Sequence, residues 1–329
     1  MNVRLARRPR RRLISTAAVA ATTVLGLTAL SACGSSAADG KGSDGKLDVV
    51  ASFYPMQFLA EEIGGDHVDV TTLTQPGQEP HDLELSTKQR AQLEEADAAV
   101  YLKGLQPAVD DAISQSGIKT KIDAASLTSL EKHGNEVGGH AEESDHDHDH
   151  GEEGTDPHIW LDPVKYAEVA EGVGKALQKA DPDHAADYKK NTAALVKKLD
   201  QLNTKYEEGL KNTDADSSRV FITTHAAFGY LAERYGLTEE AINGLDPESE
   251  PSANRVRKLQ QMAKADGVTT VFYETLVSDK TAKTLADDAK LKTDVLDPIE
   301  GITDQSKGDD YLQVMESNLA ALQKALGTK

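Results

Sequence analysis

An apolar stripe in the middle of the chain limits the folds that this sequence can adopt. Its six members follow one another at spacings of seven, four, three, four and four residues: Tyr188, Leu195, Leu199, Leu202, Tyr206 and Leu210. These spacings place all six side chains on one face of a helix of roughly 30 residues, about 45 Å long at 1.5 Å per residue. Asp181-Pro182 supplies an N-cap with proline at the first helical position. A helix of this length suits a rigid connection between two lobes.

Short apolar strands alternate with amphipathic helices on both sides of this stripe. The strands are predicted at residues 47–53, 68–73 and 98–102 before it and at 220–224, 268–273 and 293–296 after it. Alternation of this kind predicts parallel sheets covered by helices on both faces. We therefore predict an α/β protein with two similar parallel-sheet lobes, residues 47–180 and 213–329, joined by one long rigid helix at 181–212. Because ligands bind beyond the carboxyl ends of such strands, a site is expected in the cleft between the lobes.

The N-terminal residues predict export and lipid anchoring. Six arginines lie within residues 1–12, and an apolar stretch follows them, which is the pattern of a signal peptide. The stretch ends in Leu30-Ser31-Ala32-Cys33, which resembles the bacterial lipobox, whose cysteine is lipidated and becomes the N-terminus after cleavage. Residues 1–32 are therefore predicted to be a lipoprotein signal peptide and residues 33–46 a flexible tether. Lipid at Cys33 would hold the protein on the outer face of the cytoplasmic membrane.

Two alternatives stay open for this N-terminal region: an uncleaved membrane anchor, or a free cysteine near an ordinary cleavage site. The arginine pairs match the twin-arginine export signal only loosely, so they do not choose between that route and the general one. Cys33 is the only cysteine in the chain, which excludes an intramolecular disulfide.

The charge balance argues against nucleic acid as a partner. The chain has 55 acidic and 36 basic residues and a formal net charge of -19. Phosphate contacts are made by clustered Lys and Arg, whereas a strongly acidic surface tolerates or attracts cations.

The segment from Thr155 to Pro163, TDPHIWLDP, follows an acidic, histidine-rich tract. His158 stands between two Asp-Pro pairs and beside the only tryptophan, so stiff backbone restricts it, and we predict that it is a permanent metal ligand. The tract reads HAEESDHDHDHGEEG, which is too polar to join a packed core, and it lies in a His-rich loop predicted at residues 131–155. Its predicted accessory, weaker metal ligands are His140, His146, His148 and His150. The alternative for the tract is a solvated insertion with no role in metal capture.

Three further candidate ligands lie at the ends of predicted strands. His81 is in the loop after residues 68–73, and His225 and Asp297 directly follow other strands. With His158 they provide three imidazoles and one carboxylate, enough for a tetrahedral Zn²⁺ site. Each has a simpler reading, as an exposed loop histidine, a helix cap or a turn residue before proline, and spacing alone does not decide. The remaining three histidines are interpreted as solvated: His67, His133 and His184.

Six stretches resemble the metal-binding solute-binding proteins of bacterial zinc and manganese ABC transporters. They are residues 51–86, 156–163 (DPHIWLDP), 222–237, 245–252 (LDPESEPS), 271–278 (VFYETLVS) and 295–298 (VLDP). The resemblance covers residues 47–329 and implies two similar α/β lobes bridged by one long helix. It implies metal ligands at four positions: His81, His158, His225 and Asp297. Because some zinc-type members use a glutamate or water at the fourth position, Glu300 or solvent is the alternative to Asp297.

The resemblance also implies a function. A monomeric, lipid-anchored protein would capture Zn²⁺ outside the membrane and deliver it to an ABC permease driven by a cytoplasmic ATPase, without catalysing a reaction. His225 and the histidine-rich loop favour zinc, since manganese-type members typically place a glutamate at the third position and carboxylate oxygen suits Mn²⁺. A manganese or iron protein of the same family is the first alternative. An exported zinc hydrolase is the second, although the sequence lacks the HExxH motif.

Overall fold

The computed structural model describes residues 45–137, 155–211 and 219–328. The predicted signal peptide, Cys33, most of the tether and the four histidines of the acidic tract lie outside these residues. Within the described part of the chain, no helix is both long enough and apolar enough to cross a membrane.

The N-terminal lobe is built on a four-stranded sheet in which all neighbours are parallel and the order is β2-β1-β3-β4. The strands are β1 Leu47–Ala51, β2 Val68–Thr72, β3 Ala98–Tyr101 and β4 Thr120–Asp123. Its helices are α1 Tyr54–Gly64, α2 Thr87–Glu95 and α3 Pro107–Gln115. Two long helices follow it, α4 Pro163–Ala180 and α5 Ala185–Lys211.

The C-terminal lobe is built on a five-stranded sheet with the order β5-β7-β6-β8-β9. The strands are β5 Glu136–Val137, β6 Val220–Thr223, β7 Thr238–Ala241, β8 Thr270–Tyr273 and β9 Lys292–Val295. Its helices are α6 Gly229–Tyr235, α7 Ala253–Ala265, α8 Lys280–Ala289 and α9 Tyr311–Leu326. The short β5 pairs antiparallel to β7, and the other neighbours are parallel. The prediction of two parallel-sheet lobes and one long helix is confirmed, whereas the exact domain boundaries stay a prediction.

Helix α5 is buried along its whole apolar stripe, because all six predicted members have at most 2% of their surface exposed. It contacts elements of both lobes: the Asn191 amide donates to the Ile63 carbonyl at the end of α1, and the Tyr206 hydroxyl donates to the Met315 carbonyl in α9. Anchoring at both ends agrees with a helix that resists bending between the lobes.

Aromatic side chains form the core where the two lobes meet. The Tyr166 hydroxyl donates to the Pro55 carbonyl, and the Tyr311 hydroxyl donates to the Trp160 carbonyl. The rings of Phe58 and Tyr311 are 5.3 Å apart. All five side chains are buried, so the segment that carries Trp160 is fixed between the lobes.

The sequence predicts helix ends accurately where they depend on residues close together in the chain. The sequence predicts that Ser86 caps a helix with Gln89 as the reciprocal partner, and both hydrogen bonds of this capping box are present. Gly65 ends α1 with a φ of 54°, a conformation that glycine adopts at little cost. Sequence reasoning missed β4, β5 and β7, which are short and contain charged residues.

Candidate metal centre

Four side chains converge between the lobes: His81, His158, His225 and Glu300. Each comes from a loop, and three of these loops follow the carboxyl ends of β2, β6 and β9. The side chains of His158, His225 and Glu300 have no exposed surface, and that of His81 is 12% exposed. The sheets therefore bring together residues that are as far apart as 219 positions in sequence.

The spacing of the donor atoms is that of a tetrahedral metal site. The Nε2 atoms of His158 and His225 are 3.3 Å apart. Glu300 Oε1 lies 3.2 Å from Nε2 of His81 and 3.5 Å from Nε2 of each other histidine. Four ligands at about 2.0–2.1 Å from Zn²⁺ in tetrahedral geometry would be about 3.3–3.4 Å from one another. These four separations are close to that spacing, and all four donor atoms lie within 4.8 Å of one another, so the cluster could hold one metal ion.

His158 is oriented by the residue two positions before it. Its Nδ1 is 2.7 Å from Asp156 Oδ1, which also accepts from the His158 amide at 2.9 Å. The imidazole lies against Trp160, whose indole N–H donates to the Pro298 carbonyl at 2.7 Å. With Nδ1 engaged by a carboxylate, Nε2 is the nitrogen left for a metal. Trp160 in turn ties this loop to the loop that carries Glu300.

His225 is oriented in the same way from the C-terminal lobe. It is the second residue after β6, directly following Thr224, and its Nδ1 is 2.7 Å from Glu274 Oε1. Glu274 directly follows β8 and also accepts a hydrogen bond from the Thr224 hydroxyl. Carboxylate–histidine pairing of this kind fixes the ring and raises the basicity of the nitrogen that faces the metal.

His81 lies in the loop between β2 and α2, where Glu79 holds the backbone. Glu79 Oε2 accepts from the amide of His81 at 2.9 Å and from that of Asp82 at 3.4 Å. Burial, reinforced by the nearby carboxylate of Glu300, raises the pKa of Glu79 to about 8. A carboxyl group in this position fixes the loop conformation that directs His81 towards the other ligands.

Asp297, the predicted fourth ligand, is not part of the cluster. Its Oδ2 accepts from the Thr275 hydroxyl at 3.2 Å and its Oδ1 from the Ile299 amide at 2.8 Å. Ile299 has a φ of 59°, which is strained for a β-branched residue. Asp297 therefore stabilises a tight turn, and the turn directs the next residue, Glu300, into the position that the sequence interpretation gave to Asp297.

Charge interactions and hydrogen bonds between imidazoles and carboxylates shift the pKa values of the cluster. Burial alone would lower the pKa of His225, but the carboxylates of Glu274 and Glu300 outweigh it and raise that pKa well above the usual value. The pKa of His158 is raised in the same way, against the effect of burial, by Asp156 and Glu300. Burial would raise the pKa of Glu300, but hydrogen bonds from three histidines hold it well below the usual value. By contrast, burial raises the pKa of Asp297 to about 6.

Several residues that support the ligands were absent from the sequence prediction. Glu274 follows a strand directly, so the strand-end rule that selected His225 would also have selected it. Asp156 precedes His158 by two residues, a spacing that allows its carboxylate to accept from both the backbone and the ring. The interpretation of His133 as solvated is wrong, since only 8% of its surface is exposed. His67 and His184 are partly exposed and stack on each other, with ring centres 3.9 Å apart.

Known proteins resemble this chain in sequence and structure. Residues 49–325 match the model of the ZnuA family, whose description is "Zinc-uptake complex component A periplasmic". The zinc-binding lipoprotein AdcA of Streptococcus pneumoniae R6 is 38% identical over 294 residues, covering 86% of this chain and 56% of AdcA. The chain thus spans little more than half the length of that relative.

Two further similarities cover nearly the whole of the other protein. The high-affinity zinc uptake system protein ZnuA of Bacillus subtilis 168 is 36% identical over 317 residues, covering 91% of this chain and 94% of that protein. The crystal structure of the Zn(II)-bound ZnuA-like domain of Streptococcus pneumoniae AdcA has a TM-score of 0.70 and 34% sequence identity. That similarity covers 87% of this chain and all of the domain.

Proposed function

Because the chain belongs to the ZnuA family of periplasmic zinc-uptake components, we propose that it captures Zn²⁺ outside the cytoplasmic membrane and delivers it for import. The observation that carries this proposal is the cluster of three imidazoles and one carboxylate, with measured donor separations of 3.2–3.5 Å. That ligand set and spacing suit a closed tetrahedral zinc site. The names of AdcA and of the Bacillus subtilis ZnuA, both zinc proteins, support the same metal.

We propose that the metal ligands are His81, His158, His225 and Glu300, with Glu300 in place of Asp297. Four protein ligands around one ion leave no open coordination position, which a hydrolytic zinc site would need for water. This argues for binding and release of Zn²⁺ as cargo rather than for catalysis, in agreement with a family of transport components.

The partners and the cellular location follow from the same proposal. An uptake component of this family would hand its ion to an ABC permease that is driven by an ATPase in the cytoplasm. A lipid at Cys33 would hold the monomer at the outer face of the membrane, within reach of that permease. His140, His146, His148 and His150 would collect metal ions near the site as weaker accessory ligands.

Competition between metals tests this function against its nearest alternative, a manganese or iron protein. Three imidazoles favour Zn²⁺, whereas Mn²⁺ prefers carboxylate oxygens, so one tightly bound zinc per protein is expected after loading with equal concentrations of both metals. The measurement is elemental analysis after removal of weakly bound ions, on a variant in which the four tract histidines are replaced by asparagine. Equal occupancy by manganese would overturn the assignment to zinc.

Zinc affinity should rise as the pH passes through the usual histidine pKa, about 6.5, and should continue to rise above it. The ligands bind the metal as neutral imidazoles, and neighbouring carboxylates raise the pKa values of His158 and His225, so proton release on Zn²⁺ binding should extend above the usual histidine range. Chelator competition at several pH values and calorimetry in buffers of different ionisation enthalpy would measure this proton release. Affinity that is constant between about pH 6 and pH 8 would contradict it, because ordinary histidines titrate in that interval.

A further inference from the structure

His133 occupies a pocket that fits an imidazole closely. Its Nδ1 lies 2.7 Å from Asp156 Oδ2, and its Nε2 lies 3.3 Å from Oε2 of the exposed Glu233. The Tyr230 ring packs edge-on against it, with centroids 4.6 Å apart. A Cβ atom at Gly229 would lie 2.5 Å from His133 Nδ1, so the imidazole fits only because this position has no side chain. The described residues therefore contain a buried histidine with a specific partner at each ring nitrogen.

Asp156 connects His133 to the metal cluster. This carboxylate is fully buried, and each of its oxygens faces a different histidine, Oδ2 facing His133 and Oδ1 facing His158. An ionised carboxylate only accepts hydrogen bonds, so both histidines donate from Nδ1. The Nε2 atom of His158 is then left to face His225 and Glu300. The result is a continuous chain of contacts from Glu233 at the surface to the metal ligand.

We propose that His133 is a positioning residue for the metal centre, which acts through Asp156 to fix the ring orientation and the tautomer of His158. This proposal rests on the zinc-binding function described above. Without the His133 donor, one oxygen of a fully buried carboxylate would lose its partner, which is costly in a protein interior. Asp156 would then be free to rotate, and His158 would lose the acceptor that holds its Nε2 towards the metal.

Two substitutions separate this role from simple packing. In His133→Asn the amide nitrogen stands near the place of Nδ1 and keeps a donor for Asp156, whereas in His133→Gln it stands near the place of Nε2 and faces Glu233. Loss of an outer hydrogen-bond partner typically weakens metal binding about 10–100-fold, so we expect a loss of about tenfold or more for His133→Gln and less than about threefold for His133→Asn. Glu233→Gln, which alters only the exposed end, is expected to change zinc affinity less than about twofold, since exposed charge pairs contribute little.

Zinc affinity is measured by chelator competition, and the visible absorption of bound Co²⁺ reports the geometry of the ligands. The Co²⁺ spectrum should change in His133→Gln and return to that of the unaltered protein in His133→Asn, which a loss of packing alone would not produce. Equal losses of affinity in the two variants, or unchanged affinity and spectrum in both, would overturn the proposal.

Nitrogen NMR of histidine side chains in the unaltered zinc-loaded protein gives a test that needs no variant to fold. We expect a proton on Nδ1 of both His133 and His158, and the absence of a proton from Nδ1 of His133 would overturn the proposal. If the unaltered protein bound no zinc, the proposed function itself would fail. Normal zinc binding combined with the contrary NMR or variant results would remove only the role of His133.

Discussion

Replacing His81 or His225 with alanine should raise the dissociation constant for Zn²⁺ at least about 100-fold, because removing a ligand should cost no less than removing its outer partner. That factor corresponds to about 2.8 kcal/mol of binding free energy. Each substitution removes one of four donors and leaves a three-coordinate ion or admits water. Competition with a chelator of known zinc affinity would measure the change in the asparagine-substituted background described above.

A matched control for these substitutions is His67→Ala. His67 is partly exposed, pairs with Asp187, and lies outside the four-residue cluster. The zinc affinity of the His67→Ala variant should stay within about twofold of that of the unaltered protein, since no ligand or outer partner is removed. Unchanged affinity in both His81→Ala and His225→Ala would reject the ligand assignment, as would an equal loss in the His67 control.

Substitutions at Glu300 and Asp297 should have clearly different effects. Glu300→Gln replaces a carboxylate ligand by a neutral amide of the same shape, so zinc affinity should fall at least as much as on loss of an outer partner, which is about 10–100-fold. Asp297→Asn keeps an oxygen that accepts from the Ile299 amide, so the strained turn should persist and zinc affinity should fall less than about tenfold. The two dissociation constants, measured side by side, decide which carboxylate binds the metal.

Stability without metal provides a second difference between these two variants. Asp297 contacts Thr275 and the strained turn, whereas the Glu300 carboxylate contacts the three ligand histidines. Asp297→Asn should therefore lower the thermal unfolding temperature with only a small loss of zinc affinity. Glu300→Gln should cause a loss of zinc affinity that is too large for its change in stability to explain. A larger loss of affinity in Asp297→Asn would restore Asp297 as the fourth ligand.

Much of the fold is predictable from the sequence because its signals are local and repeated. The stripe from Tyr188 to Leu210 appears as one buried face of α5, and Ser86 with Gln89 forms the expected cap. The edge and polar strands are not predictable in this way. Strand β7 carries two consecutive buried glutamates, Glu239 and Glu240, which are stabilised by Thr223 and Arg255 from other elements. Their burial depends on partners distant in sequence, and no periodic pattern reports it.

In the candidate site, too, the features set by nearby sequence were predictable and those set by the detailed backbone conformation or by distant residues were not. The strand-end rule brought His81 and His225 together correctly in space, but it could not distinguish Asp297 from Glu300, which are three residues apart in one loop. That choice depends on the positive φ of Ile299, and isoleucine rarely adopts that conformation. The burial of His133 was equally inaccessible, since it requires the space left by Gly229, which lies 96 positions further along the chain.

The most direct test of the tetrahedral His₃Glu site is a crystal structure of the zinc-loaded protein with anomalous scattering data collected on both sides of the zinc absorption edge. We predict one strong anomalous peak for an ion bound by Nε2 of His81, His158 and His225 and by a carboxylate oxygen of Glu300, each at about 2.0–2.2 Å. A peak outside this cluster would contradict it, as would an ion bound by Asp297 or by fewer than three of these histidines.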